Sequence, residues 1–139
     1  MRRIISTAIV LLIAAFGIAL TPAARASAKG TCAGTSLLVD RNFRDVTVPT
    51  TFNNSGNLDC QLGLGNAGPP VRALQIALSH CYVPGLVVNG FFGLPTRTAL
   101  VTAQQREHVT PNGVYGPVTA VHLQWWDGLP GSRGCSRLR

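Results

Sequence analysis

Apolar positions recur at helical spacing in three stretches of the chain, and a proline opens each stretch. Val71, Leu74, Leu78 and Cys81 stand three and four residues apart, with Ala77 widening the stripe, which predicts an amphipathic helix from Pro69 to about Cys81. Pro69-Pro70 suits its first turn, where a missing N–H costs nothing, and Val83-Pro84-Gly85 ends it. A second helix is predicted over residues 95–108, with Thr96, Ala99, Leu100 and Ala103 facing inward and Arg97, Arg106 and Glu107 facing water. A third, over 117–126, admits two inner faces: Thr119, Leu123 and Trp126, or Val118, Val121 and Trp125. Upstream, residues 35–39 and 45–48 read as short extended pieces, the second stopped by Pro49 before a polar loop over 50–57. Downstream, Gly128, Pro130, Gly131 and Gly134 predict an irregular tail.

The connections between these helices share a second pattern. Asn89-Gly90-Phe91-Phe92-Gly93-Leu94-Pro95-Thr96 recurs 23 residues later as Asn112-Gly113-Val114-Tyr115-Gly116-Pro117-Val118-Thr119. In each copy Asn-Gly supplies a turn that tolerates positive φ. An apolar pair then dips inward, a second glycine allows a corner, and a proline starts a helix. A short repeat of this kind marks a unit that cannot bury a core alone.

The first 28 residues read as an export signal. Arg2-Arg3 precede a 17-residue apolar run ending at Leu20, and Ala24-Arg25-Ala26 and Ala26-Ser27-Ala28 offer small-residue cleavage sites. Removing it leaves 111 residues, enough for one domain, with nine basic residues against five acidic and a net charge of +4 instead of +7. That modest charge suits an anionic polymer such as a cell wall and equally an ordinary soluble surface. Cys32, Cys60, Cys81 and Cys135 all follow the signal. An even count in a small exported chain points to two disulfides in one of three connectivities. The expected pairing is Cys60–Cys81, closing the helical unit, with Cys32–Cys135 clasping its tails.

Catalytic constellations are missing from the sequence. His80, His108 and His122 are scattered, no Ser sits in a G-x-S-x-G elbow, and bridged cysteines leave no thiol nucleophile. Gly63-Leu64-Gly65-Asn66-Ala67-Gly68 matches G-x-G-x-x-G, but two prolines follow it and the chain has no room for a doubly wound sheet. The positive charges are dispersed and not banded, which argues against a nucleic-acid partner. No cofactor or metal is expected, and the expected state is a monomer free of the membrane once the signal is removed.

Leu62, Gly65, Gly68, Val71, Leu74-Gln75 and Leu78, the two Asn-Gly corners ending at Thr96 and Thr119, and Gln104 between them together resemble the peptidoglycan-binding domain-like family. The resemblance covers roughly residues 60–126, and the flanking cysteines look like those of small secreted proteins carrying the domain alone. It implies a mainly α fold: a small orthogonal three-helix bundle over 60–126, with a disulfide-tethered irregular arm over 29–59 (with room for one β-hairpin) and an irregular tail over 127–139. It implies a secreted, non-catalytic module that binds peptidoglycan or another cell-wall polymer. The runners-up are a disulfide-stapled interaction or inhibitor protein acting on a protein partner, and a wall-targeting subunit of a separate hydrolase. One departure is visible: both corners carry Asn (Asn89, Asn112) where the family usually has Asp.

Buried amides need partners for both ends, so Gln75 and Gln104 are expected to brace the corners by bonding to their backbone, with Gly90, Gly93, Gly113 and Gly116 shaping the turns. Aromatic and polar groups near the corners, Tyr82, Asn89, Phe91, Arg97 and Tyr115, are the candidate ligand contacts. Aromatic rings match the apolar faces of sugars, and Arg matches the carboxylates of peptides.

Overall fold

The computed structural model describes residues 29–129 and 134–139; the expected export signal over 1–28 lies outside the described residues, as do Pro130 and Gly131 of the tail. A glycine precedes each helix and a proline occupies its first turn: α1 (Pro69–Cys81) follows Gly68, α2 (Leu94–Arg106) follows Gly93, and α3 (Pro117–His122) follows Gly116. No side chain caps these helices. Proline removes one orphan donor at each start, and the first turns close on the carbonyls of Gly68, Gly93 and Gly116.

The remaining elements are strands. β1 (Gly34–Val39) and β2 (Asp45–Thr50) form an antiparallel hairpin, and β3 (Gln124–Trp126) pairs antiparallel with β4 (Cys135–Arg137). The protein is therefore not the mainly α three-helix bundle expected from its sequence: of the described residues 30% are helix and 24% strand or bridge, with two small antiparallel sheets. Pro49 does not stop β2, because in a two-stranded ribbon every residue is on an edge and a missing N–H is tolerated. The third helix ends four residues early. Leu123 leaves the helical region (ψ 150°), and the Gln124 N–H donates to the Tyr82 hydroxyl at 2.6 Å in place of a helical carbonyl. Trp125 then points inward from a strand, so neither proposed stripe holds. Thr119, Ala120, Leu123 and Trp125 are buried, while Val118 and Val121 are exposed.

The core forms where α1 lies across the hairpin. Val71, Leu74, Ala77 and Leu78 on α1 meet Val46 and Val48 of β2, and Phe92, Tyr115, Leu100, Leu123 and Trp125 close the cluster. The segment before α1 runs past both corners and pairs with each. Leu62 exchanges backbone hydrogen bonds with Tyr115 (3.1 and 2.9 Å), and Phe92 N–H donates to Asn66 O at 2.8 Å. The arm is thus part of the core: the Tyr115 hydroxyl donates to Pro49 O at 3.1 Å, and the Tyr115 ring meets Trp125 edge-on at 6.2 Å.

The disulfides are Cys32–Cys60 and Cys81–Cys135, a correction to the expected pairing. Thr31 and Gln61 form a parallel bridge, with Cys32 N–H donating to Gln61 O at 3.0 Å, which brings the Cα atoms of Cys32 and Cys60 to 4.9 Å. Cys81 at the end of α1 faces Cys135 at the start of β4. One bridge therefore ties the arm to the segment preceding α1, and the other pins the tail sheet to the helix end. Among the described residues no helix is long and apolar enough to cross a membrane.

Candidate functional site

The two Asn-Gly corners have the same wiring. At the first, Gln75 is fully buried on α1; its Oε1 accepts the Gly90 N–H at 2.7 Å, and its Nε2 faces Asn89 Oδ1 (3.0 Å), Phe91 O (3.0 Å) and Thr96 Oγ1 (2.9 Å). At the second, Gln104 on α2 accepts the Gly113 N–H at 2.9 Å and faces Asn112 Oδ1 (3.1 Å), Val114 O (3.0 Å) and Thr119 Oγ1 (3.1 Å). Each Asn Oδ1 also accepts the N–H two residues on, at 2.9 Å in both corners. Every bond that Asn89 and Asn112 make here uses the side-chain oxygen as an acceptor, which a carboxylate would also be. The substitution of Asn for Asp therefore leaves the wiring intact.

The wiring fixes which residue of each apolar pair turns inward. Phe92 and Tyr115 are completely buried, whereas Phe91 stays 52% exposed and Val114 is at the surface. Gly90 and Gly113 both need positive φ (77° and 69°). At Gly113 an added Cβ would come within 2.7 Å of Arg97 Cγ, so the stem of Arg97 lies across the second corner.

Beside the first corner are two adjoining hollows of about 480 and 490 Å³ that share Gly85, Leu86 and Pro95. Asn89 and Phe91 line one, and Leu94 and Thr98 line the other. Around them stand the most exposed apolar side chains of this face: Val87 at 70%, Leu94 at 66% and Phe91. A row of apolar groups left in water next to a rigid polar turn is a surface made for contact. The second corner has a smaller hollow of about 210 Å³ lined by the counterparts Asn112, Val114, Gly116 and Thr119, with Lys29 and Gln61 of the arm beside them. The two corners are related by the repeat but differ in their surroundings.

Of the candidate ligand contacts, the structure brings Asn89 and Phe91 together on the groove and places the other three elsewhere. Arg97 is exposed but covers Gly113 on the second corner. Tyr115 is buried against Pro49 and Trp125, and burial pushes its hydroxyl far above the usual phenol range. Tyr82 is 3% exposed and donates to Glu107 Oε1 at 2.7 Å; burial likewise raises its hydroxyl far above the ordinary value. Neither tyrosine is available to a ligand.

Glu107, expected in water, is also buried, because it anchors the tail. Gln124 Nε2 donates to its Oε1 at 3.0 Å and Arg137 pairs with its Oε2. Burial alone would raise this carboxyl, but the hydrogen bonds from Arg137, Tyr82 and Gln124 outweigh it and hold the group below the usual carboxylate range. Leu86, Val87, Leu94 and Pro95 were the groove residues missed in the sequence. Their only signal was an apolar run, Leu86-Val87-Val88, entering a turn with no helical period to hide it.

Comparison with known proteins bears on the same segment. No curated protein matches this chain. A crystal structure of a peptidoglycan-binding protein from Clostridioides difficile, in complex with glutamine hydroxamate, is similar at 26% identity and a TM-score of 0.41. The similarity covers 54% of this chain and 42% of that one, so the present chain spans under half the length of that protein. The model of a family described as a putative peptidoglycan binding domain matches residues 67–123. Those residues hold both corners and all three helices, so the segment that carries the repeat is the part of this chain that is similar to the peptidoglycan-binding domain family.

Proposed function

We propose that this protein is a secreted, non-catalytic module that holds peptidoglycan in the groove beside its first corner. The observation that carries the reading is the row of Phe91, Val87 and Leu94, half or more exposed on a braced turn inside the family segment. The Phe91 ring offers an apolar face to a sugar or peptide chain, and Asn89 offers an amide to its polar edge. Covering the exposed part of Phe91 contributes about 1–2 kcal/mol. Two disulfides suit an oxidising compartment outside the cytoplasm. The best-placed acid, Glu107, is occupied in holding the tail and does not face the groove.

The test is pelleting of the oxidised protein with purified insoluble peptidoglycan, with and without added salt. The protein is expected in the pellet in both conditions, and Phe91→Ala should weaken retention about ten-fold. The turbidity of the suspension should stay constant. Failure to pellet at any salt concentration, or clearing of the suspension, would refute the proposal.

A further inference from the structure

A third hollow lies away from both corners, and its walls come mostly from parts of the chain outside the family segment. It has a volume of about 150 Å³, with Asp45 and Thr47 of β2 on one side, Trp125, Trp126 and Asp127 on another, and Ala73, Ile76 and Ala77 of α1 completing the wall. An apolar cavity of this size elsewhere stays dry and takes a benzene-sized ligand, so the volume suits a short alkyl chain. The polar part of the lining has one sign. Asp127 is buried and paired with Arg44. Asp45 is exposed, and its carboxylate has no hydrogen bond or ion pair among the described residues. His80 stacks parallel on Trp126 at 3.9 Å between ring centroids, which fixes the indole. An indole and a carboxylate without a counter-ion at the mouth of a small apolar hollow make a receptor for a cation carried on a hydrocarbon stem.

The geometry points to a binding site for a primary alkylammonium group, the end of a lysine or diamino-acid side chain, with its stem against Ile76 and Trp126 and its charge at Asp45. The site is independent of the groove at the first corner. It exists because the arm and the tail, each held by a disulfide, meet beside α1.

The test follows the Trp126 indole N–H resonance of the isotope-labelled protein during titration with n-butylammonium chloride at constant ionic strength, with 1-butanol as the uncharged control. A saturable shift is expected with the amine, and binding of the alcohol should be several-fold weaker. Asp45→Asn should weaken amine binding about three- to five-fold without changing the melting temperature, while Phe91→Ala should leave it unaltered. Equal binding of the alcohol, or unchanged amine affinity in Asp45→Asn, would overturn the site whether or not the protein pellets with wall. A parallel pelleting with native and N-acetylated peptidoglycan distinguishes the source of the amine. An Asp45-dependent loss on acetylation assigns it to the wall peptide, and no difference assigns it to a soluble amine.

Discussion

Replacing Gln104 with Leu keeps a similar shape and removes four hydrogen bonds. Gly113 N–H and Val114 O lose the amide that satisfies them, and Gly113 is buried. Asn112 Oδ1 keeps the Val114 N–H, and the Thr119 hydroxyl is free to rotate. Two orphaned backbone groups at about 2 kcal/mol each, less about 1 kcal/mol from the added apolar character of Leu, give a net loss of about 3 kcal/mol. Gln75→Leu should cost less, about 1–2 kcal/mol. Gly90 is only half buried, and Thr96 Oγ1 already lies 3.4 Å from Phe91 O, ready to take over. In a domain of this size the Gln104 change should lower the melting temperature by about 10–20 °C. Calorimetry of both oxidised variants at neutral pH measures it. Melting of both variants within about 3 °C of the parent would show that the amides do not hold the corners, and a larger loss for Gln75→Leu would refute the ranking drawn from burial.

Three further perturbations test other parts of the structure. Cys81→Ala with Cys135→Ala opens a link across 54 residues and should cost about 4 kcal/mol by loop closure; an unchanged denaturant midpoint would contradict this. Glu107 has its carboxyl held low in the fold, so its contribution is complete above the unfolded value of about 4.3 and lost as pH falls through the lower folded value. Denaturant midpoints measured against pH should therefore drop on the acid side, and Glu107→Gln should flatten that drop while lowering stability at neutral pH. Gly113→Ala meets both a positive φ and the Arg97 stem, whereas Gly90→Ala meets only the φ, its nearest neighbour being 3.7 Å away. The first should be the more destabilising by about 1 kcal/mol, and adding Arg97→Ala should recover the difference in thermal melts.

The helical part of the fold was legible because local signals agreed. The Val71, Leu74, Leu78 stripe and its flanking Pro and Gly residues bound a helix seen at Pro69–Cys81. The parts decided by distant contacts were not legible. Residues 124–126 continue a helical pattern in sequence, but they become a strand because Tyr82, far upstream, takes the Gln124 N–H and Cys81 holds β4 alongside. A short apolar run of this kind fits either period. Tyr82 and Glu107 looked like surface residues because nothing local shows that they meet each other and Arg137. At the candidate site the corners could be read from the repeat, and Asn89 and Phe91 as candidate contacts beside the first of them. The groove beside it depends on how α2 sits against Gly85 and Leu86, which no spacing encodes.

Chemical-shift mapping of the backbone amides during titration with soluble peptidoglycan fragments tests most directly whether the braced first corner is the wall-binding surface. The largest shifts are expected at Val87, Asn89, Phe91 and Leu94, and they should be lost in Phe91→Ala. Shifts confined to the opposite side, around Lys29 and Val118, or no shifts at all, would contradict it.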